Sequence, residues 1–153
     1  MFSRVFLGSD HAGFNLKKII IDYLVNNFDI EIVDKGTYSE ASCDYPDYAI
    51  EVCKEIIRSK NSAGILICGT GIGMSIVANK FEGIRAALCY NSTSSRLSRL
   101  HNDSNILCLG ARIIGPEIAK DIVKAFLETP FEGGRHQKRI DKILELEKKI
   151  RTC

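Results

Sequence analysis

The sequence has no tryptophan, no C-x-x-C pair and no large excess of charge of either sign among its 153 residues. With 21 lysines and arginines against 19 acids, the formal net charge is +2, which gives no general field for nucleic acid or a membrane surface, so any basic patch must be local. No apolar run approaches the roughly 18 residues of a membrane span, and the opening stretch MFSRVFLGSD lacks a small-residue cleavage site. Cys43, Cys53, Cys68, Cys89, Cys108 and Cys153 follow none of the spacings of a zinc site, so free thiols in a reducing cytoplasm are expected. Repeats, low-complexity tracts and linker-like stretches are also missing, which leaves one domain over residues 1–153.

What is present reads as an α/β chain. Short β-branched runs at Val5–Gly8, Glu31–Val33, Gly64–Cys68, Arg85–Cys89 and Asn105–Leu109 alternate with longer stretches of helical period, which predicts a five-stranded parallel sheet with helices on both faces. The helical stripes include Leu16, Ile19, Ile20, Tyr23 and Leu24, then Tyr48, Val52, Cys53, Ile56 and Ile57, and, after Pro116, Ile118, Ala119, Ile122, Val123 and Phe126. A final amphipathic segment, His136–Arg151, sets Ile140, Ile143, Leu144 and Ile150 against many charges and is expected to pack on another subunit. The longest irregular stretch, Asp34 to Pro46, is long enough to suggest a functional loop.

Chemistry concentrates in Ile65-Leu66-Ile67-Cys68-Gly69-Thr70-Gly71-Ile72-Gly73-Met74-Ser75, where an apolar strand breaks into alternating glycines before a helix. Glycines allow successive N–H groups to converge, and a helix N-terminus adds partial positive charge, so the loop should bind an anion. No Lys-Ser/Thr follows, which excludes the phosphate loop of nucleoside triphosphatases, and G-x-G-x-G is a poor copy of the dinucleotide fingerprint. A cysteine phosphatase would want an arginine six residues after its nucleophile, where Met74 stands. A thiol at a helix N-terminus can serve as base or nucleophile. Cys68 could instead simply fill a strand end, as expected of Cys89 and Cys108, and it is the glycine loop that favours chemistry.

The three histidines occur in polar contexts, Ser9-Asp10-His11-Ala12-Gly13, His101-Asn102-Asp103 and Arg135-His136, and His11 and His101 both flank expected strands. Imidazoles suit acid–base work or phosphate binding, and their shared placement weighs against surface or capping roles. No carboxylate or cysteine cluster stands at metal-ligand spacing around them. Arg112 follows the last strand, and Arg135 and Arg139, four apart on one helix face, could grip one phosphate or form a solvated basic face.

The ordered motifs Gly8-Ser9-Asp10-His11, Asp34-Lys35-Gly36-Thr37, Asp44-Tyr45-Pro46, Cys68 to Gly73, Ala78-Asn79-Lys80, Gly83-Ile84-Arg85-Ala86, His101-Asn102-Asp103 and Glu132 to His136 resemble those of the type B ribose-5-phosphate isomerases. That family also contains the galactose-6-phosphate isomerase subunits. The resemblance implies a Rossmann-like α/β/α fold, a homodimer or dimer of dimers with sites at the subunit interface, and metal-independent interconversion of ribose 5-phosphate and ribulose 5-phosphate in the pentose phosphate pathway. No cofactor, nucleic acid or membrane is expected. It further implies Cys68 as the base between C2 and C1, Thr70 in proton exchange, and backbone N–H groups from Gly69 through Gly71 and Gly73 to Ser75 holding the enediolate. By the same resemblance His101 opens the furanose ring, Asp10, Tyr45 and Asn102 touch the sugar, and His11, Arg112, Arg135 and Arg139 bind phosphate, with His136 also lining the site. One branch of the family has a glutamate base where this chain has Met74 and lacks the cysteine, so the chain is similar to the cysteine branch.

Two other functions are consistent with the residues. An isomerase of a six-carbon sugar phosphate, galactose or allose 6-phosphate, would use the same chemistry over a longer reach. A non-catalytic phosphosugar-binding protein would keep the loop and arginines without moving a proton, and Cys68 and His101 speak against it.

Overall fold

The computed structural model describes residues 2–151, so Cys153 lies outside them. Eleven elements follow one another: β1 (Arg4–Ser9), α1 (Phe14–Asn27), β2 (Glu31–Asp34), α2 (Tyr45–Arg58), β3 (Ser62–Cys68), α3 (Ile72–Ala78), β4 (Ala86–Leu88), α4 (Ser92–Asn102), β5 (Ile106–Gly110), α5 (Pro116–Glu128) and α6 (Arg135–Arg151). The five strands form one parallel sheet in the order β2-β1-β3-β5-β4. This is the five-stranded parallel sheet that the alternation of runs predicts, in the Rossmann-like α/β arrangement that the resemblance implies. β1, β3 and β5 are its interior strands. The edge strands β2 and β4 are only partly buried, because each has a neighbour on one side only.

Side chains alternate across the strands and divide the core in two. Val5, Leu7, Ile65, Ile67, Leu107 and Leu109 pack under α1 and α5, which supply Leu16, Ile20, Leu24, Ile122 and Phe126. Phe6, Leu66, Cys68, Ile106 and Cys108 face the other way, toward Ala49, Val52 and Cys53 of α2 and Met74 and Ala78 of α3. α4 packs on α5, on the first of these faces. Ile57 and Ile118, at the margins of their expected stripes, remain half exposed, because each stripe reaches beyond the width of sheet beneath it.

The loop after β2 is shorter than the sequence suggests, since α2 already begins at Tyr45 with Pro46 in its first turn. It is pinned from below by Lys17, whose fully buried ammonium pairs with Asp34 and donates to the Thr37 carbonyl at 2.7 Å. Ser9 and Thr37 extend the pinning by backbone bonds, Ser9 N–H to Gly36 and Thr37 N–H to Ser9, each 2.7 Å. A long charged side chain sealed under a loop holds its polar end only because partners meet it there.

Candidate active site

The chain leaves β1 toward β2 on one side and crosses back to β3 on the other. The carboxyl ends of β1 and β3 therefore border a crevice of the kind where ligands bind in open α/β sheets. Asp10, just beyond β1, bridges it: its N–H donates to Ile67 at 3.2 Å, and its carboxylate accepts from the Gly13 N–H at 3.0 Å. Cys68 ends β3, 5 % exposed, and the Gly71 N–H donates to its Sγ at 3.1 Å. An amide aimed at sulfur is the contact that a thiolate accepts.

Close backbone approaches shape the loop around that sulfur. Gly71 has φ +79°, and a Cβ there would stand 2.6 Å from a Leu88 methyl and 2.9 Å from the Leu109 carbonyl carbon. At Gly110 a Cβ would stand 2.5 Å from the Thr70 carbonyl oxygen, and at Gly73 it would stand 2.6 Å from the Tyr45 ring. Tyr45 thus lies directly against the glycine loop. Thr70 is exposed at the mouth; its Oγ1 accepts from the Ile72 N–H at 3.3 Å, and its carbonyl accepts from the Tyr90 hydroxyl at 3.0 Å. The Arg112 guanidinium rests over Gly69, 3.4 Å from where a Cβ would be. His11 places Nδ1 3.2 Å from both the N–H and the carbonyl of Cys43, so its tautomer decides which of the two it engages. Ser75 spends both polar groups inside α3: its N–H donates to Gly71 and its hydroxyl to Ile72. That leaves the acceptor side of its hydroxyl for a ligand, because the helix has already closed its first turn there.

His101, Asn102, Arg135, His136 and Arg139 lie elsewhere. α4 runs antiparallel to the strands, so His101 and Asn102 in its last turn fall at the amino ends of β4 and β5. The Arg85 Nε donates to the carbonyls of Asn102 and Asp103 at 3.0 Å, and the Asn105 N–H donates to the Arg85 carbonyl at 3.1 Å. Cys68, by contrast, pairs in register with Gly110 at the carboxyl end of β5. The five residue steps from Asn105 to Gly110 span about 16 Å. The shared placement expected for His11 and His101 is therefore not found within one chain. Both flank strands, but at opposite ends, because flanking a strand does not specify which end.

At this second locus the rings of His101 and His136 stack, with centroids 4.4 Å apart and planes 11° from parallel. Arg135 Nε donates to His136 Nε2 at 3.3 Å, Arg139 Nη1 lies 3.5 Å from Nδ1, and Glu132 lies 3.6 Å from Nε2. Burial first, then His101, Arg135 and Arg139, hold His136 below the ordinary imidazole range against the opposing pull of Glu132. His101, Glu132 and His136 bring their donor atoms within 4.8 Å of one another, a grouping the sequence reading missed although Glu132 and His136 stand four apart. Such a set can hold a metal ion in other settings. Here both nitrogens of His136 already face guanidinium groups, so a cation would meet two positive charges, and the locus suits an anion. Asp103, also missed, bridges Arg85 and Arg99 at 2.9 and 2.8 Å and caps the helix turn carrying His101 and Asn102.

Among the described residues Cys43, Cys53, Cys68, Cys89 and Cys108 are unpaired thiols. Burial pushes Cys53 up to about 12 and raises Cys89 and Cys108, so these three are packing residues, as expected of the last two. No helix of the described residues is long and apolar enough to cross a membrane.

Comparison with known proteins accords with this geometry. Residues 5–143 match the family model described as ribose/galactose isomerase. Ribose-5-phosphate isomerase B of Escherichia coli K12 is 48% identical over 146 residues, covering 95% of this chain and 97% of that protein. The structure of the Clostridium thermocellum ribose-5-phosphate isomerase B superposes with a TM-score of 0.93 at 49% identity, over 96% of this chain and 99% of that one. The Mycoplasma genitalium ribose-5-phosphate isomerase B, determined with bound ribulose-5-phosphate, superposes with a TM-score of 0.90 at 44% identity, over 97% and 99%.

Proposed function

This chain belongs to the ribose/galactose isomerase family, and from that premise we propose that it interconverts ribose 5-phosphate and ribulose 5-phosphate through an enediolate. The observation that carries the reading is the Gly71 N–H donating to the Cys68 sulfur inside the glycine loop. As a thiolate, Cys68 takes the proton from C2 of the open-chain aldose, the electron pair moves toward the C1 carbonyl, and negative charge gathers on the substrate oxygens. Backbone N–H groups of the loop meet that charge without having to reorganise; one such donor contributes about 2.7 to 4 kcal/mol in comparable sites. The proton then passes from sulfur to C1. Thr70, whose Oγ1 accepts from Ile72 and so keeps its own hydrogen for donation, moves the proton between the two oxygens. Asp10 and Tyr45 border the sugar, and His11 and Arg112 supply positive or donor groups at the rim for the phosphate.

The same reading requires two copies of the chain. His101 and Asn102 lie about 16 Å of strand away from Cys68, so ring opening and proton transfer on one sugar need the amino edge of one copy set against the carboxyl edge of another. The two-fold partner would then supply the ring-opening histidine together with Arg135 and Arg139, while Arg112 and His11 come from the Cys68 side. Apolar surface is available for such a contact: Ile143, Leu146 and Ile150 on α6 and Ile72 and Ile76 on α3 are all 42% or more exposed in the single chain.

The test is Cys68→Ala. Exchange of the C1 hydrogen of ribulose 5-phosphate with deuterated water, followed by NMR, should disappear while phosphosugar binding stays within a few-fold. Exchange at the unsubstituted rate would overturn the assignment of the base, and binding without exchange by the unsubstituted protein would support a sensor instead.

A further inference from the structure

Two imidazoles stacked face to face cannot both hold a proton cheaply, since like charges within about 4 to 6 Å repel. The surroundings of the pair decide which ring stays neutral. His101 lies in the last turn of α4, while His136 is almost wholly buried at the start of α6. A neutral imidazole has one donor and one acceptor, yet both nitrogens of His136 face guanidinium groups, Arg135 at Nε2 and Arg139 at Nδ1. Glu132, the carboxylate beside Nε2, is half exposed and 3.6 Å distant, so solvent screens its pull. From α4 the facing titratable group is His101 itself.

We propose that His136 is a positioning residue: a neutral plate, held at Nε2 by Arg135 and flanked by Arg139, against which the His101 ring is stacked in the orientation needed to open the furanose. This rests on the isomerase reading above and assigns a task within it. The plate sets no like charge beside His101, which gives a proton to the ring oxygen as the bond from that oxygen to C1 breaks and the C1 carbonyl forms, the anomeric hydroxyl releasing its proton to water. The low imidazole range of His136 agrees with this division of labour. The plate also fixes the ring plane, and small displacements of an acid–base group cost about a hundredfold in favourable cases.

Ribulose 5-phosphate carries its phosphate on the only hydroxyl that could close a furanose with C2, so it is acyclic and needs no ring opening. The experiment therefore compares His136→Ala and His136→Phe in both directions at saturating substrate. With His136→Ala, kcat from ribose 5-phosphate should fall about tenfold further than hydrogen exchange into ribulose 5-phosphate does, and His136→Phe, which keeps a flat ring, should recover most of that difference. Equal losses in both directions would show a general structural role and overturn the proposal, as would a full rate from ribose 5-phosphate in the alanine variant. If the unsubstituted protein exchanged no hydrogen into ribulose 5-phosphate, the isomerase reading itself would fail, a result distinct from either.

Discussion

Mixing two inactive variants tests the division of the site between sheet edges. Cys68→Ala removes the group at the carboxyl end of β3, and His101→Ala removes one at the amino end of β5; each variant alone should lose about a hundredfold or more of its rate from ribose 5-phosphate. Some 16 Å of strand separates the two loci within a chain, and a cysteine or histidine side chain spans less than half of that. In a two-fold dimer of the two variants, one site combines both substitutions and the other combines neither. Purified mixed dimers, selected through different affinity tags on the two chains, should show about half the unsubstituted activity, and an unselected equal mixture about a quarter. The assay is initial-rate formation of ribulose 5-phosphate after the subunits are co-expressed. If the tagged mixed dimers are as inactive as their parents, the two edges do not serve a common site and the two-chain argument fails.

The glycine contacts separate function from stability. Gly73→Ala would bring a Cβ to 2.6 Å from the Tyr45 ring, which is exposed enough to swing aside; unfolding free energy should change by less than about 1 kcal/mol, while KM for ribose 5-phosphate rises severalfold. Gly13→Ala meets the Ile67 backbone oxygen at 2.4 Å, which cannot swing aside, and urea titration should show a loss of about 3 kcal/mol. Lys17→Met should cost about 3 kcal/mol, moderated because Asp34 keeps some solvent, and should raise KM as the loop carrying Cys43 loosens. For His136, whose folded range lies below that of the unfolded chain, the unfolded state binds more protons, so stability falls as the pH drops below about 6.5; replacing it by phenylalanine should flatten this slope in thermal melts.

The elements were legible because the runs at Val5–Gly8 and Gly64–Cys68 are too apolar and too short for anything but strands covered on both faces, and the observed β1 and β3 differ from them by a residue or two at their ends. The glycine loop was legible as an anion cradle, since alternating glycines after such a strand have few other uses. What escaped was direction. His101 and His11 each adjoin a strand, but only the alternation of strand and antiparallel helix assigns them to opposite ends of the sheet. Local spacing carries no record of that. Nor could any sequence pattern report that the Ser75 hydroxyl turns back onto its own helix, that Asp103 bridges two arginines, or that His136 sits between two more, because these are consequences of packing between segments distant in the chain.

The closeness of the glycine loop to its neighbours separates two kinds of inheritance. Around Cys68 much of the wall is main chain: beside a Leu88 methyl, the Leu109 carbonyl carbon crowds any side chain at Gly71, and the Thr70 carbonyl oxygen blocks one at Gly110. Main chain changes only when the fold changes, so the shape of the loop around Cys68 is insulated from ordinary substitution. The rim is built differently, from the half-exposed Tyr45 and the long arm of Arg112, each replaceable without disturbing the strands. A descendant of this chain could therefore come to accept a longer or shorter sugar by exchanging rim side chains alone, while passing on its chemistry unaltered.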